Sequence, residues 1–278
     1  MENEKDVREE RDNTSQPFSH SIPNAEWLAN LSHELRSPLA AIQGYVTLLL
    51  RHETRITPEE HHEFLEAIAE GSNRMASVLD SLLDAASLEM GTISFHPISF
   101  DLLQLIYNIL AEERQKYPES TISLLLKNKN TALISEQPHH YMILGDRLLI
   151  QKMLLQLLNN ACKYTSTLPS ITITLAPQAP DQQTKPVPAR IHTYIQEHQQ
   201  SLLQLSIQDE GIGIPSEDYE RIFERFERVD MQLTSPVSGL GLGLTMCKYI
   251  VELHDGVIWV ESLPNQGSVF QIIFPTEE

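Results

Sequence analysis

The chain has 278 residues, 41% of them hydrophobic, which is enough for about two domains with their own cores at ~100–200 residues per domain. A formal net charge of −18 argues against nucleic acid and anionic membrane surfaces as partners, since both would repel it. No apolar run approaches the ~20 residues that span a bilayer, and the polar N-terminus lacks a signal-peptide core, so the expectation is a cytoplasmic protein or a piece of one.

In chain order, residues 1–23 are charged and polar and read as a flexible tail. The spacing of Leu28, Leu31, Leu35, Ile42, Val46 and Leu49 predicts a helix from about Ala25 to His52. Thr57-Pro58-Glu59-Glu60 is an N-cap, a proline at the first helical position and a capping glutamate, and it starts a second helix that reaches about Leu88. Its stripe includes Phe64, Leu65, Ile68, Met75, Val78, Leu79, Leu82 and Leu83. One such hairpin leaves much of its apolar face uncovered, and pairing two copies into a four-helix bundle would cover it, so a homodimer is expected on physical grounds.

Beyond Met90-Gly91 the periodicity changes. Thr92 to Phe100 reads as extended, and Asp101 caps a helix carrying Leu102, Leu105, Ile106 and Ile109. Strands are expected at Thr121–Leu126, Ile171–Leu175 and Leu202–Ile207, with an apolar helix between about Arg147 and Tyr164. Residues 176–200, rich in Pro and Gln, read as a surface loop insertion. A helix ends near Leu253, and Gly256–Ser262 with Ser268–Phe274 form a hairpin about Pro264-Asn265-Gln266-Gly267. Helices grouped with strands, without βαβ alternation, give an α+β sandwich.

Four stretches carry chemistry. In Ser32-His33-Glu34-Leu35-Arg36-Ser37-Pro38, a neutral His33 imidazole is a nucleophile near pH 7, and Glu34 can take or hold its other ring proton. Ser37 lies one turn further on the same face. The alternative is a helix that begins at Ser37-Pro38, but the apolar stripe runs through the proline and favours one kinked helix. Near the end of the apolar helix, Asn160 offers an amide oxygen suited to Mg²⁺, Lys163 a charge for phosphate, and Tyr164 a ring for a base. Adjacent asparagines also fit a plain helix end. Asp209-Glu210-Gly211-Ile212-Gly213 reads either as a tight turn or as a carboxylate placed to accept from an exocyclic amine. Gly239-Leu240-Gly241-Leu242-Gly243 opens a helix and presents backbone amides to anions.

Taken together and in this order, these stretches resemble the H-box, N-box and glycine boxes of two-component sensor histidine kinases. Arg221-Ile222-Phe223-Glu224-Arg225-Phe226-Glu227-Arg228 resembles the F-box of the same family. The resemblance implies a multidomain chain: an all-α dimerisation and phosphotransfer domain over residues 24–90, then an α+β sandwich ATP-binding domain of the Bergerat type over 91–278, with its ATP lid at 229–243. It implies that His33 is autophosphorylated from ATP with Glu34 activating it, and that the phosphoryl group passes to an aspartate of a response regulator receiver domain. Asn160 would bind Mg²⁺ and Asp209 adenine. Gly211, Gly213, Gly239, Gly241 and Gly243 would shape the nucleotide pocket, with Lys163, Tyr164, Phe223, Phe226 and Arg228 as further contacts.

Three positions depart from the family pattern. Gln156 stands where hydrolytic relatives carry a catalytic glutamate, and an amide cannot act as a general base. Ser37 stands where threonine or asparagine usually serves dephosphorylation of the partner, and Leu240 replaces a frequent hydroxyl residue of the lid. The competing readings are a Bergerat-fold ATP hydrolase and a non-catalytic ATP-binding dimeric scaffold. Cys162 and Cys247 lack metal-ligand spacing and read as reduced core residues, and His61-His62 and His139-His140 as solvated pairs.

Overall fold

A computed structural model describes residues 25–52, 56–116, 121–126, 141–165, 169–178, 189–197, 201–227 and 239–276. Two long helices come first, α1 (Ala25–His52) and α2 (Pro58–Met90). The start of α2 is the expected capping box. Glu60 N–H donates to Thr57 Oγ1 at 3.2 Å, and Thr57 N–H donates to Glu60 Oε2 at 2.9 Å. Gly91, at φ 60°, ends the helix.

Pro38 lies inside α1, so the helix runs through it and the alternative of a fresh start at Ser37 is set aside. The two helices pack tightly at Gly71, where a Cβ would stand 2.9 Å from Ile42 Cγ1 and 3.3 Å from the Pro38 carbonyl oxygen. Leu28, Leu39, Val46, Leu65, Leu79 and Leu83 stay exposed on the hairpin.

The second part is a layered α/β domain. Strands β1 (Ile98–Asp101) and β3 (Met142–Gly145) pair antiparallel. The main sheet contains β2 (Thr121–Leu126), β4 (Ser170–Gln178), β5 (Leu202–Asp209), β6 (Val257–Ser262) and β7 (Ser268–Pro275), in the order β2-β4-β5-β7-β6. Among the described residues only the β2–β4 pair is parallel. Helices α3 (Leu102–Lys116), α4 (Arg147–Lys163) and α6 (Gly243–Leu253) bury Ile106, Leu154, Leu157, Ile250 and Val251 against the inward residues Ile173, Leu205, Phe270 and Ile272. Asp146 caps α4, its Oδ1 accepting from Leu148 and Leu149 N–H.

Three expectations are corrected. Of the stretch Thr92–Phe100, only Ile98 onward is strand. Strand β3 is absent from the sequence reading, because four residues give too short a pattern to read. Residues 176–200 are not simply a loop. Strand β4 continues to Gln178, and α5 (Ala189–Glu197) is an amphipathic helix. Its Ile191, Tyr194 and Ile195 fall at i, i+3 and i+4 and pack with Leu202, Trp259 and Ile273 on the opposite face of the sheet. The surrounding Pro and Gln mask that short stripe in the composition.

Candidate functional site

The site is assembled from one face of α1, the end of α4, the end of β5 and the loop into α6. On α1, His33 and Ser37 are exposed while Glu34 is buried, with 7% of its surface accessible. Glu34 Oε1 accepts from the Gly239 N–H at 3.2 Å, and Oε2 lies 3.6 Å from Arg74 Nη2 on α2. The helix that bears the imidazole therefore touches the glycine-rich loop directly.

At the end of α4, Asn160 is half-buried, and its Oδ1 accepts from Gln156 Nε2 at 3.2 Å. Lys163 Nζ lies 5.5 Å from the centre of the Tyr164 ring. The helix end is tied to the next element by the main chain, with Ile212 N–H donating to the Tyr164 carbonyl at 3.2 Å. Gly211 is required at this junction, since a Cβ there would be 2.8 Å from both Tyr164 O and Asp209 Oδ1.

Asp209 ends β5 and is buried. Among the described residues its carboxylate accepts two hydrogen bonds, both at Oδ1, from Gly211 N–H at 2.8 Å and Ser268 N–H at 3.2 Å. Burial pushes its carboxyl above the usual carboxylate range, and the two amides pull against that rise. Gly213, at φ 71°, lies against the Leu263 carbonyl, and Asn265 N–H donates to Ile212 O at 2.7 Å. A one-oxygen anchor with the second oxygen left for a ligand suits an amine donor such as that of adenine.

The glycine loop is close-packed on both sides. Gly239 has φ 148°, and a Cβ there would be 3.0 Å from Lys163 Nζ. Gly241 has φ 71° and its carbonyl accepts from Phe226 N–H at 3.0 Å. Gly243 opens α6 against the Gln156 side-chain amide. Phe226 itself adopts φ 66° and joins Leu240, Leu242 and Val78 of α2 in a small apolar cluster. Phe223 is buried edge-on to Phe270, ring centres 6.4 Å apart. Arg228 and lid residues 229–238 lie outside the described residues.

The structure thus joins Tyr164, Gly211 and Asp209 through close contacts, sets Gly239 beside both Lys163 and Glu34, and sets Gly243 against Gln156, whose amide is hydrogen-bonded to Asn160. Ser37 is exposed on α1 and takes no part in these contacts among the described residues. Sequence reading missed the supports: Arg74, Ser268, Gly267 and Ser262. Ser262 Oγ accepts from Ile214 N–H at 2.7 Å, and Gly267 (φ 80°) presses on the Asp209 backbone. The Pro264–Gly267 turn was visible as a turn, but nothing local ties it to a carboxylate 55 or more positions earlier.

The family described as His Kinase A (phospho-acceptor) domain matches residues 24–91, and the histidine kinase-, DNA gyrase B-, and HSP90-like ATPase family matches residues 145–278. The chain is 32% identical over 251 residues to the sensor protein GacS of Pseudomonas syringae pv. syringae, covering 89% of this chain and 24% of that protein. The chain spans about a quarter of the length of that relative. The Acinetobacter baumannii histidine kinase AdeS shares the fold at a TM-score of 0.58 and 18% identity, over 88% of this chain and 98% of that one. The histidine kinase ThkA, solved in complex with the response regulator protein TrrA, aligns at a TM-score of 0.57 and 22% identity, over 91% of this chain and 62% of that one.

Proposed function

The chain belongs to the two-component sensor histidine kinases, and from that premise we propose that it transfers the γ-phosphoryl group of ATP to His33 and then to an aspartate of a response regulator. One observation carries this reading: Glu34, the neighbour of an exposed His33, is hydrogen-bonded to the glycine loop. Acceptor helix and nucleotide loop are therefore within reach of each other in one chain.

A ring nitrogen of His33 attacks the γ-phosphorus, an N–P bond forms, and the bond to the bridging oxygen breaks to release ADP. Glu34 holds the proton on the other ring nitrogen and so keeps the attacking nitrogen unprotonated. Asp209 Oδ2 receives the adenine amine. Lys163 and the amides of Gly239–Gly243 face the phosphates. Among the described residues no cluster of His, Cys, Asp or Glu is able to hold a metal ion. A Mg²⁺ ion bound through Asn160 Oδ1 would take its remaining ligands from phosphate and water, as Mg²⁺ commonly does, and would neutralise developing charge. Ser37, one turn from His33, would order water for removing phosphate from the regulator.

The exposed apolar stripe of α1 and α2 supports assembly into a homodimer. ThkA is solved with its regulator, and a receiver domain is the partner proposed for this chain by that likeness. No described helix is long and apolar enough to cross a membrane. A hydrolase is disfavoured, since Gln156 has no basic carboxylate to activate water.

The test is incubation with Mg²⁺ and γ-labelled ATP. Acid-labile, alkali-stable label on the wild type but on neither His33→Gln nor Asp209→Asn is expected. Steady phosphate release without label would replace the kinase with a hydrolase, and nucleotide binding without either would leave a scaffold.

A further inference from the structure

The glycine loop presents three features that draw an anion: the N–H of Gly239, the ammonium of Lys163 beside it, and the first turn of α6, which receives no side-chain cap from Leu242. In this chain the anion at that loop is the protein's own. Gly239 N–H donates to Glu34 Oε1 at 3.2 Å, from a different domain and more than 200 positions earlier. Burial makes the Glu34 charge dependent on such donors. On the kinase reading a nucleotide phosphate takes the same amide, and two anions do not share one donor in a half-buried setting.

Resting on the kinase reading, we propose that Glu34 is a built-in competitor of the nucleotide. Its carboxylate holds the anion position of the glycine loop, and the incoming phosphates displace it. Arg74, 3.6 Å from Glu34 Oε2, retains the carboxylate beside His33 after it leaves the loop. Phosphate arrival and release of the base to His33 are thereby one event, and the base is engaged elsewhere when no nucleotide is present. No covalent bond changes in this exchange.

Calorimetric titration of the full chain with a non-hydrolysable ATP analogue and, separately, with adenosine tests this. Glu34→Gln removes the charge but keeps an acceptor, and Glu34→Ala removes both. The analogue is expected to bind about 3- to 10-fold more tightly to each variant, with Ala at least equal to Gln, as loss of a charge-assisted competing bond implies. Adenosine, which carries no phosphate, should bind wild type and variants alike, and it reports that each variant is folded. Unchanged or weaker analogue binding overturns the proposal. Equal tightening for analogue and adenosine also overturns it, since that would mean general opening of the two domains. A wild type that binds neither ligand would instead remove the nucleotide-site reading.

Discussion

Asp209 and His254 are the buried titratable groups whose surroundings lead to measurable outcomes. Asp209→Asn preserves shape but replaces an accepting oxygen pair with one oxygen and one donor. Nucleotide affinity is expected to fall about 10- to 100-fold, corresponding to roughly 1.5–3 kcal/mol for a hydrogen bond to a charged group, with little change in thermal midpoint. Calorimetry beside a melting curve checks both. His254 links α4 to α6 through the core. Asp146 N–H donates to its Nε2 at 2.8 Å, so Nδ1 carries the proton and faces Ile250 O at 2.6 Å. Burial holds the imidazole below its ordinary range, against the pull of Ile250 O and Asp146. The unfolded chain therefore binds a proton more readily, near pH 6.5 for a free histidine. The stability this site contributes is complete above about pH 6.5 and is lost as pH falls below it. Melting wild type and His254→Gln from pH 8 to 5 should show a shallower acid loss in the variant. Parallel curves would count against it.

Among the elements, α5 has the least support from its local sequence. It is nine residues long, and its position comes from two buried isoleucines against Trp259 and Ile273 and from the Tyr194 hydroxyl donating to the Asp255 carbonyl. Burial and the nearby Asp255 push the Tyr194 hydroxyl up to about 12, so it stays a donor at neutral pH. Ile191→Ala should cost about 2–5 kcal/mol by denaturant unfolding, in the usual range for a buried isoleucine. At a permissive temperature it should leave nucleotide affinity unchanged, because α5 lies on the sheet face opposite the site. A loss of affinity without loss of stability would place α5 in the nucleotide site instead.

For the whole molecule, the question is how the catalytic domain rests on the hairpin. Among the described residues the contacts include the Gly239–Glu34 hydrogen bond, Val78 with Leu240 and Leu242, the pair Lys152–Asp84 at 2.5 Å, and Arg225–Glu89 at 3.5 Å. A few apolar residues, one hydrogen bond and two partly exposed ion pairs make a docking that is separable, as the proposed transfer to His33 requires. Such pairs are worth about 0–1 kcal/mol each, so Asp84→Lys is expected to slow autophosphorylation only about 2- to 5-fold and to leave nucleotide affinity unchanged. The swap Asp84→Lys with Lys152→Asp should recover most of the rate, which a double-mutant cycle reads directly. Slowing without recovery would mean that Asp84 acts in another way.

The sequence by itself determined what short-range chemistry encodes. The two long helices, the capping box at Thr57, the glycine loop and the carboxylate of Asp209 each announce themselves within a few residues, because apolar period, cap and turn residues are local signals. The family could be named for the same reason. The tertiary structure decided what depends on residues far apart in the chain. It alone joined Glu34 to Gly239 and Arg74, braced Asp209 with Ser268, turned an apparent loop into α5, and held His254 against Asp146. Burial and partnership across 40 to 205 positions are properties of packing, and no short window of the sequence contains them.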